Sequence, residues 1–542
     1  MRSFLRCSYL ATLVVTIVSG RALAQSWVAV EDQLLAGSTT DAGDRFGSAV
    51  ALSGDTLLVG APYAGLNERG EAYVFSRSNG AWIEQARLLV PPAIALDFDH
   101  FGASVALEGD LAVVGAPEAR ANDSGAAFVY RRVGTTWTFE STLVWPAPSA
   151  QERFGWSVAI ADSTVAVGAP RRSGIWGLNG AVGIFTGQGS AWTYRVRLSN
   201  PFADDDDQLG GALDLERLPS GRFGLIATSL NSSGVLYEGS GASWSYVDMI
   251  GGWSGQAVAR EGTTAIVAEP FNNVPSGGRV LINVANASGY VLQKNLVSPS
   301  SSHPYNRFGR AIALDGDLLA VGETFDPNSN PGHGKVHVFR RSGTTWTAVR
   351  TMVLPGLAQA DNFGWSLALE GSDLIVSAPR ASTAAGASAG TVLVLRIGET
   401  SATYCGSGIS GAGCVARMSS SGVPSASLAT PFVLSTSRVE AQRAGFIFYG
   451  VSGPTDVVWG ASSVLCVKSP ARRTNTQDSG GTAGACDGSF VLDWNQFVAS
   501  TPTALGQPFS AGNEIFAQGW YRDPLSAKGF QLSNALAFIL EP

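Results

Sequence analysis

The chain has 542 residues, of which 45% are hydrophobic and only 15% charged, with 65 glycines and a formal net charge of −7. That apolar content excludes a disordered chain, and the length calls for at least two domains. The acidic balance argues against a nucleic-acid binder, whose phosphate contacts need a basic stripe, and is compatible with cations or basic partners.

Residues 1–24 read as an export signal. Arg2 and Arg6 precede an apolar run from Tyr9 to Val18, and Ala22-Leu23-Ala24 forms a small-residue cleavage site. The run is shorter than the roughly 20 residues a membrane-spanning helix needs. Cleavage after Ala24 predicts a secreted or cell-surface protein, without a later membrane-spanning segment. Losing three arginines with the leader takes the mature charge from −7 to −10.

Residues 27–397 repeat. Phe-Gly recurs at Phe46-Gly47, Phe101-Gly102, Phe154-Gly155, Phe308-Gly309 and Phe363-Gly364, with degenerate copies at Leu209-Gly210 and Ser254-Gly255. The seven starts lie 55, 53, 55, 45, 54 and 55 residues apart. Fourteen residues after the first position of most copies stands Gly-Ala-Pro or a relative, as in Gly60-Ala61-Pro62, Gly115-Ala116-Pro117 and Ser377-Ala378-Pro379. A Gly-led alternating segment follows (Gly70 to Phe75, Gly334 to Phe339), then a Trp-led one such as Trp82 to Val90. Period-2 alternation with Gly-rich turns predicts four strands per copy, the pattern of a propeller blade.

The last copy ends at its third strand, Gly390 to Arg396, while a Trp-led segment stands alone at residues 27–35. The expected architecture is therefore an all-β chain. A seven-bladed β-propeller over residues 25–397 is closed by its own N-terminal strand, and a smaller β-sandwich over residues 398–542 follows.

The paired Phe-Gly and Gly-Ala-Pro elements resemble FG-GAP repeats, as in the propeller of integrin α subunits and in many exported bacterial proteins. The resemblance implies a display platform whose variable loops meet an extracellular protein or glycan. It also implies calcium in an acidic loop between the two motifs. Here that loop has shrunk to tight turns, Ser53-Gly54-Asp55, Glu108-Gly109-Asp110 and Asp315-Gly316-Asp317, which cannot supply six to eight oxygens. No metal and no cofactor are expected.

Strand order places the uniform short turns on one face and the variable loops on the other. Candidate ligand residues on the variable face are Tyr63, Asn67, Asp97, Asp99, Arg171, Arg172, Asp204, Asp205, Asp206, Asp207 and Asp326. The run Asp204 to Asp207 reads either as a solvated loop or as a weak cation or basic-ligand site. Gly-Thr-Thr-Trp at Gly134 to Trp137 and Gly343 to Trp346 is similar to the Asp-box of sialidase-type propellers, but Arg132 and Arg341 fill its Asp position. Of the histidines, His337 aligns with Tyr73 and Phe128 and reads as a packing residue. His333 would share its strand face with no acidic partner in sequence, and His100 and His303 fall in loops. With no catalytic motif, the expected function is non-enzymatic binding or adhesion. The alternatives are a hydrolase or lyase acting on extracellular glycans or lipids, and a structural scaffold.

Past residue 397 the repeat stops and four cysteines enter: Cys405, Cys414, Cys466 and Cys486. After export they read as two disulfides, in one of three pairings. Chain order suggests Cys405–Cys414 and Cys466–Cys486. Strands are expected at Gly445 to Tyr449, Val464 to Val467, Phe490 to Trp494, Ile515 to Tyr521 and Ala535 to Leu540. Gly445 to Gly450 and Gln518 to Pro524 resemble a terminal module recurring in exported bacterial proteins, which assigns it no activity.

Overall fold

The structure is a computed structural model. It describes residues 28–78, 81–173, 177–202, 206–229, 234–252, 255–271, 277–299, 306–324, 334–353, 361–398, 401–404, 407–422, 424, 431–458, 463–510, 513–526 and 528–540. The leader, Trp27, Asp204, Asp205, His303, Asp326, His333 and Cys405 lie outside these residues.

Seven four-stranded antiparallel sheets follow one another. Blade 1 consists of Ala49–Ser53, Thr56–Ala61, Glu71–Ser78 and Ala81–Leu88, hydrogen-bonded in that order. Blades 2 to 6 repeat the pattern. Blade 7 takes Leu367–Glu370, Asp373–Ala378 and Thr391–Gly398 from its own copy, and its fourth strand is Val28–Leu35. The pairing runs from Val28 opposite Gly398 to Leu35 opposite Val392. A bulge interrupts it between Glu31 and Gln33. Blade 1 bulges at the same step, where Val74 faces Ala86 and Phe75 faces Glu84. The N-terminal strand thus reproduces the outer strand of every other blade.

The apolar cores lie between blades rather than within them. Phe101 of blade 2 packs with Leu58 and Val74 of blade 1, and Phe154 of blade 3 with Val113 and Val129 of blade 2. Phe46 of blade 1 packs with Ile375, Val392 and Val394 of blade 7, joined by Leu35 of the N-terminal strand. A blade is two-faced and cannot bury itself alone, so neighbours supply the cover. Each of the five motif phenylalanines is at most 1% exposed, and burying one contributes about 1.5–3 kcal/mol.

The glycines explain the motif spacing. Gly102 takes a left-handed backbone at φ 93° and donates its N–H to Gly115 O at 3.0 Å. Its own carbonyl points at Gly60 of the preceding blade, where a Cβ would stand 2.0 Å from it. Parallel bridges join Gly70 to Phe101, Gly125 to Phe154 and Gly390 to Phe46. Phe-Gly of one blade is therefore stapled to the Gly-Ala-Pro and third strand of the one before.

On the short-turn face the Gly-Asp turns serve pairing between blades. Asp55, Asp110 and Asp317 accept from the Nε of Arg77, Arg132 and Arg341 at 2.6, 2.6 and 2.8 Å. The same guanidinium groups reach Asp373, Thr56 and Thr264 of the preceding blade. They also stand 5.1–5.4 Å from the ring centres of Trp82, Trp137 and Trp346. This accounts for arginine at the position where an Asp-box has its acid. Around the ring, Gly54 N–H donates to Glu370 at 2.7 Å and Gly109 N–H to Ser53 at 3.0 Å. Gly316 N–H donates to Glu261 at 2.7 Å.

The junction of blades 4 and 5 lacks the motif phenylalanine and carries a small cluster of Ile226, Leu236, Ile250, Val258, Ala265 and Val267. There Arg260, its side chain 1% exposed, pairs with Glu216 at 2.8 Å and Glu238 at 3.0 Å. Polar pairing takes over part of the contact that Phe-Gly makes elsewhere.

The sheet-rich C-terminal region sets two sheets against one core. One contains Ala444–Gly450, Glu514–Arg522 and Phe530–Ile539, the other Arg417–Gly422, Phe432–Val439 and Gly488–Asp493. Ile447, Tyr449 and Phe538 from the first meet Phe432, Leu434 and Phe490 from the second. Trp494, expected at a strand end, instead opens the helix Trp494–Ser500, because Asp493 caps it by accepting from Gln496 N–H at 3.1 Å. The chain-order disulfides are also corrected: Cys414 bonds Cys486, 72 residues away, with Cα atoms 5.4 Å apart. Cys466 is disulfide-bonded as well. Sheet pairing, not chain proximity, sets which thiols meet. Among the described residues no helix is long and apolar enough to cross a membrane.

Candidate functional site

Where the seven blades converge on the variable-loop face, they enclose a cavity of about 470 Å³. Every blade contributes the residue that follows its Phe-Gly position: Ser48, Ala103, Trp156 and Gly211 from blades 1 to 4, then Gln256, Arg310 and Trp365. The first strands start there, so this side chain is the one nearest the axis. The residue before Phe-Gly adds Arg45, His100, Arg153 and Asn362. These four take left-handed φ values of 51–58°. The ends of the Gly-Ala-Pro elements add Pro62, Tyr63, Pro117, Glu118, Pro379 and Arg380.

The lining is cationic although the chain is acidic. Among the described residues, four arginines face one carboxylate, Glu118. Glu118 is engaged on both oxygens, by His100 Nδ1 at 2.9 Å and Arg153 Nη2 at 3.2 Å. His100 Nε2 lies 3.1 Å from Glu68, and its ring packs 4.8 Å from Tyr63. Arg45 stacks over Tyr63 at 4.2 Å and Arg310 over Trp365 at 3.7 Å. Desolvation, with Arg307 adding repulsion, pulls the Arg310 guanidinium down to about 10, so it stays a cation at neutral pH.

Of the sequence-derived candidates, Tyr63 lines this cavity. The other described candidates are not part of its lining. Asp97 accepts from Arg69 at 2.8 Å and Asn67 at 3.0 Å, and these bonds hold its carboxyl below the usual range. Asp99 is buried, accepts from Leu96 N–H at 2.8 Å and is pushed up by burial. Arg172 holds buried Glu152 at 2.7 Å and covers Trp145. Arg171 is exposed. Asp206 accepts from Leu178 N–H at 3.2 Å. Asp207 is buried and takes bonds from Asn200 and Ser229 at 2.8 and 2.6 Å.

His337 is a buried packing residue against Phe308, yet it has an acidic partner: Nε2 lies 3.0 Å from Glu323, and Nδ1 lies 2.9 Å from Thr351. Glu323 sits on the neighbouring strand, in the degenerate Gly-Ala-Pro of the same blade, so chain spacing hid it.

The axial set was legible only as two columns flanking Phe-Gly in the aligned repeats, the second of which has Trp156, Arg310 and Trp365 where other copies have Ser48, Ala103 and Gly211. A family model described as FG-GAP repeat matches residues 29–75, 82–130, 137–185, 292–339 and 346–395. The unmatched interval spans most of blades 4 and 5, where Phe-Gly is degenerate. No curated protein matches the chain. A solved structure titled "Crystal Structure of Mitotic Checkpoint Complex" is similar over 72% of this chain and 99% of that one, at 12% identity and a TM-score of 0.44. The repeat matches and the seven four-stranded sheets together identify residues 29–395 as an FG-GAP repeat β-propeller.

Proposed function

We propose that the protein is an exported, non-enzymatic binding protein that seats its ligand in the axial cavity of the variable-loop face. The observation that carries this reading is the contribution of one Phe-Gly-following residue from all seven blades to a single concave site. A concave site with a few convergent polar groups is the usual form of a ligand pocket. Non-enzymatic binding is supported by Glu118, the one carboxylate of the lining among the described residues, which is already engaged by His100 and Arg153. Acid–base hydrolysis of a glycan ordinarily needs two opposed carboxyl groups. Export is supported by the residue 1–24 signal pattern and by the disulfide Cys414–Cys486.

The test is binding of the mature chain to arrays of extracellular glycans and matrix proteins. A Tyr63→Ala/Trp156→Ala variant should lose the bound class, whereas replacing residues 204–206 should leave it. Retention by the axial variant would reject the site, and turnover of an array ligand would reject the non-enzymatic assignment.

A further inference from the structure

The half-buried arginines of this protein are nearly all paired. Arg77, Arg131, Arg132, Arg153, Arg172, Arg279 and Arg341 each meet a carboxylate within 3.2 Å. Arg310 and Arg45 depart from that pattern. Both are half-buried and line the axial cavity. Among the described residues neither makes an ion pair or a side-chain hydrogen bond, and each lies over an aromatic face.

The fold does not call for a cation at position 310. Where blade 6 has Arg310, blades 1, 2 and 4 have Ser48, Ala103 and Gly211. A desolvated, unpaired charge is unfavourable. Stacking on Trp365 fixes the guanidinium plane and leaves its N–H edge for a partner, and that edge suits a carboxylate or sulfate.

We propose that the axial cavity recognises an acidic saccharide, with a uronate carboxylate or a sugar sulfate ester seated against Arg310 and Arg45. The proposal rests on the axial-site reading given above. Trp156, 39% exposed, and Tyr63 offer apolar surface to the C–H face of a sugar ring, and Gln256 and Asn362 offer amide groups to its hydroxyls. An acidic peptide would also use the arginines and the amides, but a polyglutamate chain has no C–H ring face to lay on Trp156.

The experiment is calorimetric titration of the mature chain with oligogalacturonate, a sulfated galactan oligosaccharide, the neutral galactan oligosaccharide, a polyglutamate peptide and sodium sulfate. At least one acidic saccharide should bind more than about tenfold tighter than the neutral one, with affinity falling as salt rises. Arg310→Gln should weaken that binding by more than about tenfold, and its thermal midpoint without ligand should equal or exceed that of the unmodified chain. The unliganded midpoint separates a lost contact from a lost fold. Equal binding of the neutral saccharide, abolished by Trp156→Ala, would overturn the anion assignment and keep the axial site. Equal binding of polyglutamate would overturn the saccharide assignment. A response to sodium sulfate matching that of the saccharides would reduce the site to a simple ion seat. Unchanged affinity in Arg310→Gln would reject the role of that residue. Absence of binding by every saccharide would reject the proposal, while the Tyr63→Ala/Trp156→Ala variant on the glycan and matrix-protein arrays decides the site separately.

Discussion

The side-chain amide of Gln33 pairs in both directions with the backbone of Trp82, donating from Nε2 to the carbonyl at 2.8 Å and accepting from the N–H at 2.7 Å. Gln33 belongs to the outer strand of blade 7 and Trp82 to the outer strand of blade 1, so this pair ties the two ends of the repeat array. Replacing Gln33 with Ala leaves a backbone N–H and a carbonyl short of partners, at a cost of about 1–3 kcal/mol. Gln33→Ala should therefore lower the thermal midpoint of the propeller. An unchanged midpoint would show that the outer strands hold without it.

The Gly-Ala-Pro glycine is demanded by the neighbouring blade. A Cβ at Gly60 would meet Gly102 O at 2.0 Å and Gly102 C at 2.9 Å, both backbone atoms of the next blade. Gly60→Ala should destabilise by about 1–3 kcal/mol through overpacking. Gly109 has a left-handed φ of 54° but open space around it. Gly109→Ala should cost only about 1 kcal/mol, from backbone strain alone. Denaturation midpoints that reverse this order would remove the close approach as the reason for the motif.

Arg132 bridges Asp110, Thr56 and the face of Trp137. Lysine keeps the charge but not the planar fork, so Arg132→Lys should lose about 1 kcal/mol. Asp110 is 61% exposed at its side chain, and Asp110→Asn should cost less, as exposed ion pairs contribute little. A larger loss in Asp110→Asn would mean that the turn depends on the charge itself.

Burial pushes the Asp214 carboxyl up to about 6, from an ordinary value of 3.8, against the lowering effect of the Arg260 N–H bond. The folded chain then keeps a proton that the unfolded chain has released. Between about pH 4 and pH 6 this group's contribution to stability falls as pH rises. The stability of Asp214→Asn relative to the unmodified chain should thus increase from pH 4 to pH 7. Parallel melting curves for the two proteins across that range would contradict it.

Blade number, strand order and the N-terminal origin of the last outer strand were legible in the sequence because they rest on local chemistry. Period-2 alternation writes a strand, a Gly-Asp pair writes a turn, and a glycine marks each place where another backbone comes close. Phe46 to Phe363 could be counted without coordinates. The same reading put candidate ligand residues in the loops, where Asp97, Asp207 and Arg172 turn out to be held by neighbours.

Only the tertiary structure decided which residues meet. Arg45, Trp156, Arg310 and Trp365 come from different copies of the repeat and form one lining because the first strands of the blades converge on an axis. Glu323 reaches His337 across a strand pair, and Cys414 reaches Cys486 over 72 residues. A repeat specifies its own strands through short-range patterning, but the site at its centre is made of contacts between copies. Those contacts arise only when the blades pack.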